Sequence, residues 1–136
     1  MRVVLDTNVL VAGLLSAAGP PGWIVEAALA GEIELVFDAA MRQEYEEVLR
    51  RPELDLPRQR VDGLLAAIDE IGWEVTAVPP WPELLPDPED EPFLAVAGAT
   101  GSVLVTGNLR HFPRRLRRGV EVRSPRQLFD ELRPED

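Results

Sequence analysis

The chain has 136 residues, 46% of them apolar, enough for one domain whose core folds without covalent staples. It contains no cysteine, which excludes disulfides, thiolate metal sites and cysteine nucleophiles. All 14 basic residues are arginine, so a Walker P-loop, Schiff-base chemistry and kinase chemistry, each built on a lysine, are excluded as well; the formal net charge is −10.

"VVL" at 3–5 is a short apolar run ended by Asp6 and predicts a buried strand. A short helix follows over 8–15. "GPP" at 19–21 is a turn whose prolines can open a second helix running to about Ala30, with Gly31 as its stop. "IELVF" at 33–37 predicts a second strand. Asp38 then caps a helix from about Ala39 to Arg50, which Pro52 ends. Another amphipathic helix spans 57–71 and stops at Gly72. "WEVTAV" at 73–78 predicts a third strand, and "PPWPELLPDPEDEP" a proline-rich loop. A helix over 91–100 tolerates Pro92 in its first turn. "SVLVT" at 102–106 predicts a fourth strand, 108–112 a short turn or helix, "VEV" at 120–122 a fifth strand, and 125–132 a last helix. Strands alternating with helices imply an α/β layered fold around a mostly parallel sheet of about five strands, as a single domain over residues 1–136. No stretch reaches the ~20 apolar residues of a membrane span, and "MRVVLD" leaves no room for a signal peptide, so a cytoplasmic protein without membrane contact is expected.

Ligands of such folds bind at the carboxyl ends of the strands, which directs attention to Asp6, Asp38 and the "TGN" turn at 106–108. Asp6, Thr7 and Asn8 are each good helix caps, and capping is the ordinary alternative to a site role for Asp6. In "MRQEYEEVLRR", Met41, Tyr45, Val48 and Leu49 define a buried stripe. Glu44 sits about 85° from its centre, against about 115° for Glu46 and about 145° for Glu47, so Glu44 is the acid best placed to reach inward. Asp90 opens the 91–100 helix, as a cap or as a ligand, with Asp87 and Glu91 as rivals. Thr106 and Asn108 follow the fourth strand. His111, the single histidine, cannot build a zinc site alone and is a candidate phosphate contact.

Charge is unevenly spread. Residues 83–91 carry Glu83, Asp87, Glu89, Asp90 and Glu91 with no base, whereas "RHFPRRLRR" at 110–118 carries five arginines with no acid. A nucleic-acid binder is usually basic, so the net charge opposes that function and the arginine segment favours it. Arg110, Arg114 and Arg115, with Arg117 and Arg118, are candidate phosphate contacts or a solvated, salt-bridged face. No aromatic platform for stacking single strands is evident.

Taken in order, "VVLDTNVLVAGLLS", "EYEEVLRRPEL", "PDPEDEPFLAVAGATGSVLVTGNLRHFP" and "VEVRSPRQLFDEL" resemble the PIN domain family over residues 2–133, and particularly the VapC-like toxins of toxin–antitoxin pairs. "LDTNVLV" and "VTGNLRHFP" are the most specific parts. The resemblance implies a three-layer α/β/α fold and a Mg²⁺- or Mn²⁺-dependent endoribonuclease restrained by an antitoxin protein and paired as a homodimer. It maps the family's metal-binding acids onto Asp6, Glu44 and Asp90, and a fourth, often acidic position onto Asn108, with Thr106 beside it. An amide at 108 adds no charge and puts a second tightly held metal in doubt. It also keeps open a weakly active or inactive PIN fold that binds RNA or a partner. A receiver- or haloacid-type phosphate-transfer domain is a poorer fit, since both rely on a lysine.

Overall fold

A computed structural model describes residues 1–133; the last three residues of the expected 1–136 domain lie outside the described residues. The chain runs β1 (Arg2–Leu5), α1 (Thr7–Leu15), α2 (Pro20–Leu29), β2 (Glu34–Phe37), α3 (Ala39–Leu49), α4 (Arg58–Ile71), β3 (Trp73–Glu74), α5 (Glu91–Thr100), β4 (Val103–Val105), β5 (Val122–Arg123) and α6 (Pro125–Leu132). Short 3-10 turns at Pro52–Leu54, Pro88–Asp90, Leu109–His111 and Arg114–Leu116 punctuate it.

The strands form one sheet in the order β3-β2-β1-β4-β5, and every pairing is parallel. Helices cover both faces, giving the expected three-layer α/β/α architecture. Val3, Val4 and Leu5 on β1 and Leu104 and Val105 on β4 are fully buried, as strands covered on both sides must be. Helix α5 buries Phe93, Leu94 and Val96 and packs across β1, β2 and β4. Tyr45 of α3 is wholly buried, and its hydroxyl donates to the Leu5 carbonyl, which fastens α3 to the end of β1.

Local chemistry explains most boundaries. Pro20 and Pro21 occupy the first turn of α2, and the Asp38 side chain accepts from the Met41 N–H at 2.8 Å to cap α3. Gly101, at φ 64°, ends α5 in the left-handed conformation that favours glycine. Ser124 and Gln127 form a reciprocal capping box at α6. The third strand is shorter than its 73–78 pattern predicts. After Glu74 one further bond, Val75 N–H to the Phe37 carbonyl, holds it to β2, and then Ala77 at φ 57° turns the chain out of the sheet toward Pro79 and Pro80. The fifth strand falls at 122–123 rather than 120–122, because Arg118 and Gly119, both at positive φ, complete a turn before it. Among the described residues no single helix is long and apolar enough to cross a membrane.

Candidate functional site

From β1 the chain steps outward to β2 and β3, and then returns to the other side of β1 to place β4 and β5. The junction between β1 and β4 is therefore the switch point of the sheet, where a crevice opens at the carboxyl ends of the strands. Leu5 is in register with Val105, so the next residue on each strand, Asp6 and Thr106, emerge side by side. Both are buried, Asp6 at 4% exposure and Thr106 at 0%.

Thr106 is the hub. Its Oγ1 donates to Asp6 Oδ2 at 2.8 Å and accepts the Asn108 backbone N–H at 3.0 Å. Asn8 Nδ2 adds a second bond to Asp6 Oδ2 at 3.2 Å, while Asn8 Oδ1 accepts the Gly107 N–H at 2.9 Å. Asp6 occupies the N-cap position of α1 but makes no cap hydrogen bond, so capping does not account for it. Thr7 donates to Glu44 Oε2, tying the start of α1 to α3. Glu44 is half-buried at the edge of the α3 stripe, where the helical period predicts it.

Asp90 is buried at 8% exposure and likewise makes no cap bond. Its rivals have other work: Asp87 accepts the Glu89 N–H, and Glu91 accepts the Trp81 N–H to pin the proline-rich loop. Asp90 Oδ2 instead meets His111 Nδ1 at 2.8 Å, and His111 Nε2 meets Asn108 Nδ2 at 2.8 Å. An amide nitrogen only donates, so Nε2 accepts and the Nδ1–H donates to Asp90; this network assigns the neutral Nδ1–H tautomer. His111 is thus a member of the site, bonded to two of its predicted residues. The sequence offered little to reveal this, since its partner Asp90 lies 21 residues away.

All three carboxyls are held above their usual range. Burial is the first cause for Asp6, with the Thr106 bond opposing it. Burial also raises Glu44, opposed by Thr7 and reinforced by the Asp6 charge. Asp90 is pushed up to about 6 by burial and by Asp6, against the pull of His111. Each carboxylate is anchored through one oxygen, Asp6 Oδ2, Glu44 Oε2 and Asp90 Oδ2, and has a second oxygen with no side-chain partner among the described residues. Three acids made reluctant to ionise, each presenting a spare oxygen, suit a hard divalent cation. The donor set therefore fits Mg²⁺ or Mn²⁺. Among the described residues, the group whose ligand atoms lie within 4.8 Å of one another is Asp87, Asp90 and His111; Asp6 and Glu44 are not part of it. Both nitrogens of His111 are already hydrogen-bonded, so ligation by its ring would break one of those bonds.

Arg110, Arg114 and Arg115 are exposed beyond the site on the 3-10 turns. Arg117 donates to the Phe112 carbonyl and Arg118 pairs with Glu83, so the basic segment is partly committed to structure. Two cavities of about 500 Å³ each are lined by none of the three carboxylates. A cleft of about 410 Å³ adjoins the site, with Asn8, Gly107 and Asn108 on one wall.

An all-parallel sheet with buried carboxylates beyond the ends of its strands defines an α/β protein with an acidic centre. The sequence profile of the PIN domain matches residues 2–110, and the chain belongs to the PIN domain family. Two solved structures share the fold. One is a chain of VapBC2 from Rickettsia felis, bound to a DNA fragment from their promoter; it is 15% identical over 91% of this chain and 98% of that one, with a TM-score of 0.63. The other is a chain of FitAB bound to an IR36 DNA fragment, 14% identical over 90% and 94%, with a TM-score of 0.60. No curated protein matches the chain in sequence.

Proposed function

We propose that this PIN domain protein is a Mg²⁺- or Mn²⁺-dependent endoribonuclease, the toxin of a toxin–antitoxin pair, working in the cytoplasm. The observation that carries the reading is that Asp6, Glu44 and Asp90 are all raised in pKa, with the Asp6 charge acting on both of the others, and that each is anchored by a side chain of the same network.

Asp6, Glu44 and Asp90 would hold the ion. When bound, such an ion lowers the pKa of a water and neutralises charge on a phosphodiester. Thr106 and Asn8 fix Asp6, Thr7 fixes Glu44 and His111 fixes Asp90, so the carboxylates need little reorganisation to receive a cation. Half-buried Asn108 is placed to orient water or a phosphate oxygen, and the fully buried Thr106 supports it through the Asn108 N–H. Arg110, Arg114 and Arg115 supply positive charge for the RNA backbone, since arginine suits phosphate. The antitoxin partner and a homodimeric state rest on the likeness to VapC-like toxins, supported by a fold shared with the VapBC2 and FitAB complexes.

RNA cleavage with and without Mn²⁺ tests the reading. Wild-type protein cleaves only with the metal, and Asp6→Ala and Asp90→Asn abolish cleavage while circular dichroism shows the fold intact. Cleavage unchanged in Asp90→Asn sinks the assignment. Asn108 favours a second reading, a PIN fold that binds RNA or a partner without cutting. Calorimetry separates them, because a pure binding module need not bind Mn²⁺.

A further inference from the structure

Half of the arginines are tied to carboxylates: Arg2, Arg42, Arg50, Arg118, Arg123, Arg126 and Arg133 all form ion pairs. With 24 acids in the chain, an arginine left without one is the informative case. Two such residues share a cavity. A cleft of about 500 Å³ at the corner between α3 and α4 is lined by Arg50, Arg51 and Arg58, with Asp55 as its one acid and Leu49 and Leu56 among its apolar walls. Arg50 is held by Glu46 and Asp62. Arg51 and Arg58 are exposed, and among the described residues their side chains have no carboxylate partner and no hydrogen bond.

The corner is joined to the acidic centre through α3. Leu49, on the wall of the cleft, follows Glu44 by five residues on α3, roughly 7–8 Å along the helix axis, and Arg51 lies two residues further on, just past the end of the helix. Its positive charge reaches Glu44 and lowers that carboxyl, against the burial that raises it. Two guanidinium groups without partners over an apolar wall match a phosphate joined to a base: planar donors take the phosphate oxygens, and the wall covers the ring.

We infer that this cleft is a nucleotide subsite, in which Arg51 and Arg58 hold a phosphate of the RNA strand beside the bond cut at Asp6, Glu44 and Asp90. The inference deepens the proposed nuclease reading and rests on it for the identity of the strand. It places a second arm of substrate contact on the α3 side, opposite in sequence to the 110–118 segment.

The test is binding of a short, fluorescently labelled single-stranded RNA to the full chain in EDTA, followed by anisotropy across a salt series. Replacing both residues (Arg51→Gln with Arg58→Gln) is expected to weaken binding about tenfold and to flatten the salt dependence by about 0.7 in slope for each phosphate no longer neutralised. Arg51→Lys with Arg58→Lys keeps the slope but not the full affinity, because a point charge replaces a bidentate fork. Arg126→Gln, on α6, matches wild type. RNA binding unchanged by the double Gln replacement, or absent from wild type, overturns the subsite. A polyglutamate peptide that displaces RNA from wild type, and whose own binding needs both arginines, assigns the cleft to an acidic protein partner and also overturns it. Failure of the nuclease reading looks different: arginine-dependent RNA binding persists, but Mn²⁺ produces no cleavage.

Discussion

Thr106 and Asp6 lie 100 residues apart in the chain, yet the Thr106 hydroxyl donates to Asp6 Oδ2 at 2.8 Å across the junction of β1 and β4. The same hydroxyl accepts the Asn108 N–H, so one oxygen organises both the first acid and the turn that carries the amide.

Thr106→Val keeps the side-chain shape and removes that oxygen. It leaves a buried Asp6 carboxylate and the Asn108 N–H each short of a partner, at a cost of about 1–3 kcal/mol. Urea denaturation is expected to show a lower midpoint with an unchanged slope. Calorimetry is expected to show weaker Mn²⁺ binding, because Asp6 loses its anchor. Full stability in Thr106→Val would contradict the hub role.

The Asp90 carboxyl, pushed up to about 6 from 3.8, predicts how metal-free protein responds to pH. The folded state keeps the proton after the unfolded chain has released it. Between about pH 4 and 6 folding is therefore linked to proton uptake, and stability falls as pH rises through that window. A shift of this size corresponds to roughly 2–3 kcal/mol. Asp69 and Glu46, lowered by Arg42, act in the opposite sense and lose their contribution as pH falls through their depressed values. Comparing denaturation of wild type and Asp90→Asn in EDTA from pH 4 to 8 isolates the Asp90 part: the variant loses the decline, and at pH 7 it is at least as stable as wild type. Saturating Mn²⁺ removes the difference in wild type by occupying the site.

His111 is a positioning residue in this arrangement. His111→Ala frees Asp90 and Asn108, and loss of such a support costs about 10–100-fold in metal affinity. RNA cleavage at low Mn²⁺ falls accordingly and recovers as Mn²⁺ is raised. The alternative trio of Asp87, Asp90 and His111 makes a contrasting prediction. There the imidazole is a ligand, wild type prefers Zn²⁺ over Mg²⁺, and Asp87→Asn is as damaging as Asp6→Asn.

Asn108→Asp adds a fourth negative charge beside His111. Mn²⁺ affinity is expected to rise about tenfold, on the usual scale of one added opposite charge at a few ångströms. The amide donor to His111 Nε2 is lost at the same time. Unchanged metal affinity would show that position 108 does not face the ion.

Much of this was legible in the chain. Hydrophobic period and punctuation located the helices and four of the strands to within a residue or two, because proline and glycine mark the ends of α2 and α5 so plainly. The third strand starts where expected, but its end was not legible, since alternating residues at 73–78 carry no sign that Ala77 adopts a left-handed turn. The helical wheel placed Glu44 at the stripe's edge, and there it is half-buried and bonded to Thr7. The roles of Thr7, Asn8 and His111 were not legible. Thr7 and Asn8 look like capping residues, and their bonds to Glu44 and Gly107 exist only once distant segments meet. Arg51 was hidden for the same reason: it stands out only when its neighbours are seen to be paired and it is not.

The parallel pairing of β1 with β4 has a consequence for the chain as it is being made. A growing polypeptide that has not yet emitted residues 103–111 has no β4 beside β1, no hydroxyl for Asp6 and no imidazole for Asp90. Every fragment shorter than that holds at most the three acids, without these two supports. On the proposed nuclease reading, activity would thereby wait until most of the chain has been made, and a premature stop anywhere before residue 106 would prevent it.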